Sequence, residues 1–251
     1  MNNVEFANKA REIANKYKTI YILGCFGAPL NKSNKKRYTN NYEYNKRNVR
    51  KNKILSATSD TFGFDCVCLI KGILWGWNGN INHVYGGAKY ASNNVLDVSA
   101  DQMMAFCTST SQNFDNIQVG EIVHIKVHVG IYIGEDLVVE CTPIWKDGVQ
   151  ITRLLNNMFY DDCNGRVWNE HGKLKWVEYL ETSSLVYYPK SNYSGNSFVD
   201  ALKELNIDST FKNRFKIASC NGIKIYFGTA RQNIKLLQLL KNGKLIKVKN
   251  S

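Results

Sequence analysis

Apolar residues recur at helical spacing from Val4 to Lys18, where Phe6, Ala10, Ile13 and Ala14 share one face, so the pattern predicts an amphipathic helix. A short apolar run from Tyr21 to Leu23 ends at Gly24. Asn31 to Lys53 is polar and strongly basic; it reads as a solvated loop over a cleft, or as a nucleic-acid arm. From Cys66 to Trp77 the apolar positions 66, 69, 70, 73, 74 and 77 return to the helical period, with Asp65 where an N-cap belongs. Val119 to Val139 reads as strands, with a Gly-Glu-Asp turn at 134–136. Val149 to Thr152 and Leu174 to Tyr179 predict further strands.

Tyr187 to Asn196 is polar and carries Pro, Gly and Ser, as a linker would. It divides the chain into a domain at 1–187, a linker at 188–196 and a small helical domain at 197–251. Ser197 caps the first of three short helices, with Asp200 three residues on. Ser209 or Thr210 caps the second, which stops near Gly222. Thr229 opens the third, whose Ile234, Leu237 and Leu240 form an apolar stripe before Gly243. No internal repeat is evident.

Hydrophobic residues at 44% and aromatic residues at 12% are enough for a core and argue against disorder. The 251 residues suit one large and one small domain. Lys+Arg at 33 against Asp+Glu at 21 leaves a net charge of +12. From Ser197 onward there are 11 basic and 3 acidic residues, so 11 − 3 = +8 lies there. That sign favours polyanions, whether nucleic acid, anionic membrane or an acidic cell-wall polymer. Seven cysteines, at 25, 66, 68, 107, 141, 163 and 220, are an odd and scattered set, which suggests reduced thiols rather than a disulfide framework. The charged first twenty residues lack an apolar signal segment, and no run of 18 apolar residues occurs, so neither a signal peptide nor a membrane span is expected.

A nucleophilic cysteine must reach the thiolate state at an opening, and unpaired N–H groups at a helix N-terminus favour that anion. Cys66 has that position; a buried core cysteine is the alternative. A thiolate needs a base, and the histidines are 83, 124, 128 and 171. His83 and His171 fall in turn-like segments expected to be exposed, and His124 reads as structural. His128 opens an apolar strand in which Gly130 leaves room for something to approach. Glu140, one hairpin away in an apolar strand, could orient it. Both side chains share a face only if directly opposed residues sum to an even number, as 130 with 140 do.

Phe64-Asp65-Cys66-Val67-Cys68-Leu69-Ile70 resembles the Asp-Cys motif of the NlpC-type papain-like cell-wall peptidases. Gly120-Glu121-Ile122-Val123, followed by His128-Val129-Gly130-Ile131-Tyr132-Ile133-Gly134, resembles that family's histidine block, and Tyr21-Ile22-Leu23-Gly24 its upstream tyrosine segment. Cys68 stands where glycine is usual, and Glu140 where His, Asn or Gln is commoner. Over residues 1 to 187 the resemblance implies an α+β papain-like domain with a central antiparallel sheet and N-terminal helices. It implies Cys66, His128 and Glu140 as catalytic residues, Tyr21 and Asp65 as substrate-binding ones, and no metal or cofactor. Ser197 to Leu202, Asn213 to Ala218 and Gly228 to Leu240 resemble the C-terminal wall-binding module of Bacillus and clostridial phage lysins.

Together these imply a phage endolysin or prophage autolysin that cleaves stem-peptide amide bonds of peptidoglycan. Such a protein would stay in the host cytoplasm until released through a holin. Expected partners are peptidoglycan and anionic wall polymers, with no nucleic acid, and a homodimer through the C-terminal module is possible. A papain-like amidase cutting between sugar and stem peptide has the same Cys–His chemistry. A non-enzymatic basic nucleic-acid-binding protein is the alternative from another class. A zinc site has little support, because Cys66 and Cys68 lack a matching Cys or His pair.

Overall fold

The computed structural model describes residues 1–156, 164–180, 186–221, 223 and 226–248. The chain divides into two compact units, Met1–Leu180 and Glu181–Ser251. In chain order the first unit contains helix α1 (Asn3–Lys16), strands β1 (Thr19–Tyr21) and β2 (Phe26–Pro29), and helices α2 (Lys32–Asn41), α3 (Glu43–Lys46) and α4 (Asn48–Ser56). Then come β3 (Phe62–Phe64), helices α5 (Cys66–Leu74) and α6 (Ala100–Met104), β4 (Cys107–Ser111), β5 (Ile122–Ile125) and β6 (His128–Gly134). Strands β7 (Leu137–Thr142), β8 (Gly148–Leu154), β9 (Gly165–Arg166) and β10 (Glu170–Leu174) complete it.

Seven strands form one sheet in the order β4-β10-β5-β6-β7-β8-β9, antiparallel except for the β8–β9 pair. A second sheet, β1-β3-β2, carries the chain into α5. Alternation along β6 and β7 divides the side chains between two layers. Val129, Ile131, Ile133, Val139 and Cys141 join Phe6, Ile13, Leu69 and Ile70 of α1 and α5 in the main core. Tyr132 and Val138 pack with Phe114 and Trp168 in a separate cluster. The fold is thus a mixed α+β domain whose central sheet is largely antiparallel, as the hairpin patterns imply.

The basic stretch at 31–53 is not a loop. It forms α2 to α4, whose inner surface is mostly polar: Asn34, Thr39, Asn45 and Arg50 are buried beside Tyr38 and Ile54. Asn45 replaces a missing strand partner, accepting from Leu23 N at 3.1 Å and donating to Leu23 O at 2.9 Å. Arg50 donates to Asp147 Oδ1 at 2.6 Å and to Tyr21 O at 3.0 Å. The strand expected at 174–179 instead ends at Leu174. His171 lies inside β10, buried against Glu121 and 2.9 Å from Asn113 O, rather than in an exposed turn.

In the second unit, helices α7 (Phe198–Glu204), α8 (Phe211–Cys220) and α9 (Ala230–Lys241) bury Phe198, Leu202, Ile217, Leu237 and Leu240 together. Ser197, Thr210 and Thr229 are the N-caps, and Thr229 forms a full capping box with Gln232. The α9 stripe is Leu236, Leu237 and Leu240; Ile234 points to solvent. Gly222 lies outside the described residues. This unit begins before 188, and much of the 188–196 segment is held within it. Tyr188 N donates to Leu245 O at 2.8 Å and Ser191 N to Leu240 O at 3.2 Å. Among the described residues, no helix is long and apolar enough to cross a membrane.

Candidate active site

Cys66 is the first residue of α5, and Asp65 caps it by accepting from Cys68 N at 2.7 Å. The other Asp65 oxygen accepts from Gly24 N, also at 2.7 Å, which ties the helix start to the turn after β1. Asp65 is only 4% exposed and both its oxygens are engaged by backbone donors, while the residue also lines the cleft into which Cys66 opens. Helix geometry leaves the N–H groups of Cys66 and Val67 outside the intrahelical ladder. The backbone donors of Val129, Val67 and Cys66 act to lower the thiol pKa.

A helix N-terminus alone would lower the thiol pKa. Burial wins here: it pushes the Cys66 thiol up to about 12, and Asp65 adds to the rise against those backbone donors. The thiol therefore holds its proton near neutrality unless a base takes it. Its polar neighbour is Val127 O at 4.0 Å, one residue before His128. Among the described residues no hydrogen bond joins Cys66 to His128.

His128 and Glu140 do meet. Gly130 lies opposite Glu140 in the β6–β7 pairing, so the parity condition is satisfied and the two side chains share a face. His128 Nε2 is 2.6 Å from Glu140 Oε2. The same oxygen accepts from Arg166 Nε at 2.8 Å, and Oε1 accepts from Thr152 Oγ1 at 2.7 Å. Burial pushes the Glu140 carboxyl up, but the bonds and charges of His128, Arg166 and Thr152 outweigh it and hold it below the usual carboxylate range. The indole of Trp168 stacks on the imidazole, with centroids 5.6 Å apart and planes 16° apart. A Cβ on Gly130 would come within 2.6 Å of Val138 and 3.2 Å of the Trp168 ring, so the space that glycine leaves is taken up by these two side chains. With Nε2 engaged by Glu140, Nδ1 is the nitrogen left to exchange a proton with a thiol.

Cys66 opens into a cleft of about 770 Å³ that is also lined by Tyr21, Tyr85, Tyr90, Arg37 and Lys71. Tyr21 is among the residues that line the cleft. Burial, then the charges of Asp65 and Cys66, pushes its phenol well above the usual range. His124 is pinned structurally, with Nδ1 2.9 Å from Glu170 and Nε2 2.9 Å from Asp101. Asp101 also accepts from Val127 N at 2.6 Å, which braces the turn before His128. Arg166, Thr152, Trp168 and Asp101 went unnoticed in the sequence, because each comes from a separate element and none lies in a motif.

No protein-family profile matches the chain. Over 58 residues it is 47% identical to the L-alanyl-D-glutamate peptidase of a Listeria phage. That stretch is 22% of this chain and 21% of the phage protein, so the chain spans about a fifth of that relative. Among solved structures, NlpC2 from Trichomonas vaginalis is similar over 66% of this chain and 47% of its own, at 16% identity and a TM-score of 0.31.

Proposed function

We propose that this chain is a cysteine peptidase acting on bacterial cell-wall peptides, with Cys66 as nucleophile, His128 as base and Glu140 as orienter. The observation that carries the reading is the pairing of two features. A cysteine stands at a capped helix start inside a cleft, and the carbonyl beside it, Val127 O, immediately precedes a histidine held by a fully buried carboxylate. The local likeness to a phage enzyme named for the L-alanyl-D-glutamate bond supports a peptidoglycan substrate.

In this reading the thiol turns from Val127 O toward His128 Nδ1 and gives up its proton as substrate enters; apo geometry of such pairs is commonly loose. The thiolate attacks the peptide carbonyl. The Cys66 and Val67 N–H groups are placed to receive the developing oxyanion. His128 returns the proton to the leaving amine, and a thioester remains. Water, deprotonated by His128, then releases the acid and restores the thiol. Glu140 stabilises the imidazolium that forms at each transfer.

The basic second unit is proposed to hold the enzyme on anionic wall polymers. Digestion of purified peptidoglycan followed by mass spectrometry tests the reaction: a new amino terminus inside the stem peptide supports it. A free lactyl end on the sugar would instead assign the amidase reaction.

A further inference from the structure

We infer that Arg37 is a specificity-determining residue that receives a carboxylate of the substrate. This rests on the peptidase reading above and deepens it. Among the described residues, the other charged groups that line the cleft are engaged by an ion partner or by backbone donors. Lys71 is bound to Asp97 and also donates to Val98 O at 3.0 Å. Asp101 is bound to His124, and Asp65 is capped by two backbone donors. Arg37 lies on α2, on the cleft wall, and among the described residues it has no carboxylate partner. Its NH1 donates to Tyr85 Oη at 2.6 Å, a neutral acceptor that orients the guanidinium without neutralising it.

The planar group is further held over the Tyr85 ring at 5.2 Å and the Tyr38 ring at 5.6 Å. A guanidinium with a fixed plane and donors to spare suits a carboxylate. The nucleophile in the same cleft calls for a peptide, so the ligand is a peptide bearing a free carboxylate. A glutamyl residue meets that description. It has two carboxyl groups, and a peptide chain continues through one of them; the other stays anionic unless it is amidated.

The test separates this inference from the reading beneath it. Binding is measured by calorimetry with the full-length Cys66→Ala protein and with Cys66→Ala/Arg37→Gln. The probes are an alanyl-glutamyl wall peptide and the same peptide with its free carboxylate converted to carboxamide. Cys66→Ala should prefer the carboxylate by roughly tenfold or more, and the double variant should lose that preference. Equal discrimination by both proteins overturns the role of Arg37, as does equal binding of the two peptides by Cys66→Ala. Arg37→Lys should recover only part of the preference, since an ammonium lacks the planar fork. Cleavage of the same peptides by the wild-type enzyme tests the peptidase reading separately.

Discussion

Glu140 sits opposite Gly130, two residues along β6 from His128, and from there its carboxylate reaches the imidazole at 2.6 Å. A register shifted by one residue would send it into the opposite layer. The carboxylate is fully buried, yet each oxygen has a donor, and Arg166 balances its charge. The cluster therefore behaves as a unit, and its members have consequences when removed singly.

Glu140→Gln should keep the shape and lose the charge. Arg166 is then left without its partner, and the imidazolium loses its stabilising anion. Wall-lytic kcat should fall by about two orders of magnitude or more. Unfolding free energy should fall by about 3 kcal/mol, the usual scale for breaking a buried pair. Denaturant unfolding measures the second effect; an unchanged midpoint would argue against the network.

The pH dependence has a definite sign. The Glu140 carboxyl is held below its ordinary value in the folded state. Its contribution to stability is therefore present above the unfolded carboxylate range, about 4.3, and is lost as pH falls through the lower folded value. The stability gap between wild type and Glu140→Gln should be full at neutrality and close only in acid. A gap that widens in acid would reverse the assignment.

Cys66 alone is a poor nucleophile, because burial pushes its thiol up to about 12. Removal of the base should expose that property. In His128→Ala, alkylation of Cys66 by iodoacetamide should be slow at neutral pH and should keep rising toward pH 12. Wild-type protein should react faster near neutrality. Identical profiles for the two proteins, read by peptide mass spectrometry, would show that His128 does not activate the thiol.

Arg50 anchors the helical wall of the cleft, joining α4 to Asp147 and to the backbone of Tyr21. Arg50→Met should cost about 3 kcal/mol, because it leaves Asp147 with only the half-exposed Lys53. Hydrogen exchange should rise first in α2 to α4. A uniform rise across the first unit would contradict a local anchoring role.

The separate second unit has its own apolar cluster and a strongly basic sequence. Residues 181–251 fused to a fluorescent protein should label cell walls. Labelling that survives moderate salt indicates specific recognition, and labelling lost on adding salt indicates a charge anchor. No labelling, with residues 1–180 as lytic as the full chain, would exclude a binding role.

Local patterns made part of this molecule legible. The Asp65 cap and the α5 stripe are written in the consecutive residues 65–74, and the β6–β7 hairpin in residues 128–142. Helices α2 to α4 were hidden because their buried face is polar: Asn34, Asn45 and Arg50 satisfy backbone and carboxylate groups that only the fold brings near. Arg166 and Thr152 were hidden for a related reason, since they reach Glu140 from strands 26 and 12 residues away. The raised pKa of Cys66 is not legible in the sequence, because helix position is visible there and burial depth is not.

Cys66 as nucleophile is tested most directly by incubating purified peptidoglycan with wild-type protein and with Cys66→Ala, and counting new amino termini in the released peptides. Wild type should release them steadily, and Cys66→Ala, with its fold verified by circular dichroism, should release none above the enzyme-free control. Comparable release by the two proteins would contradict the assignment of Cys66.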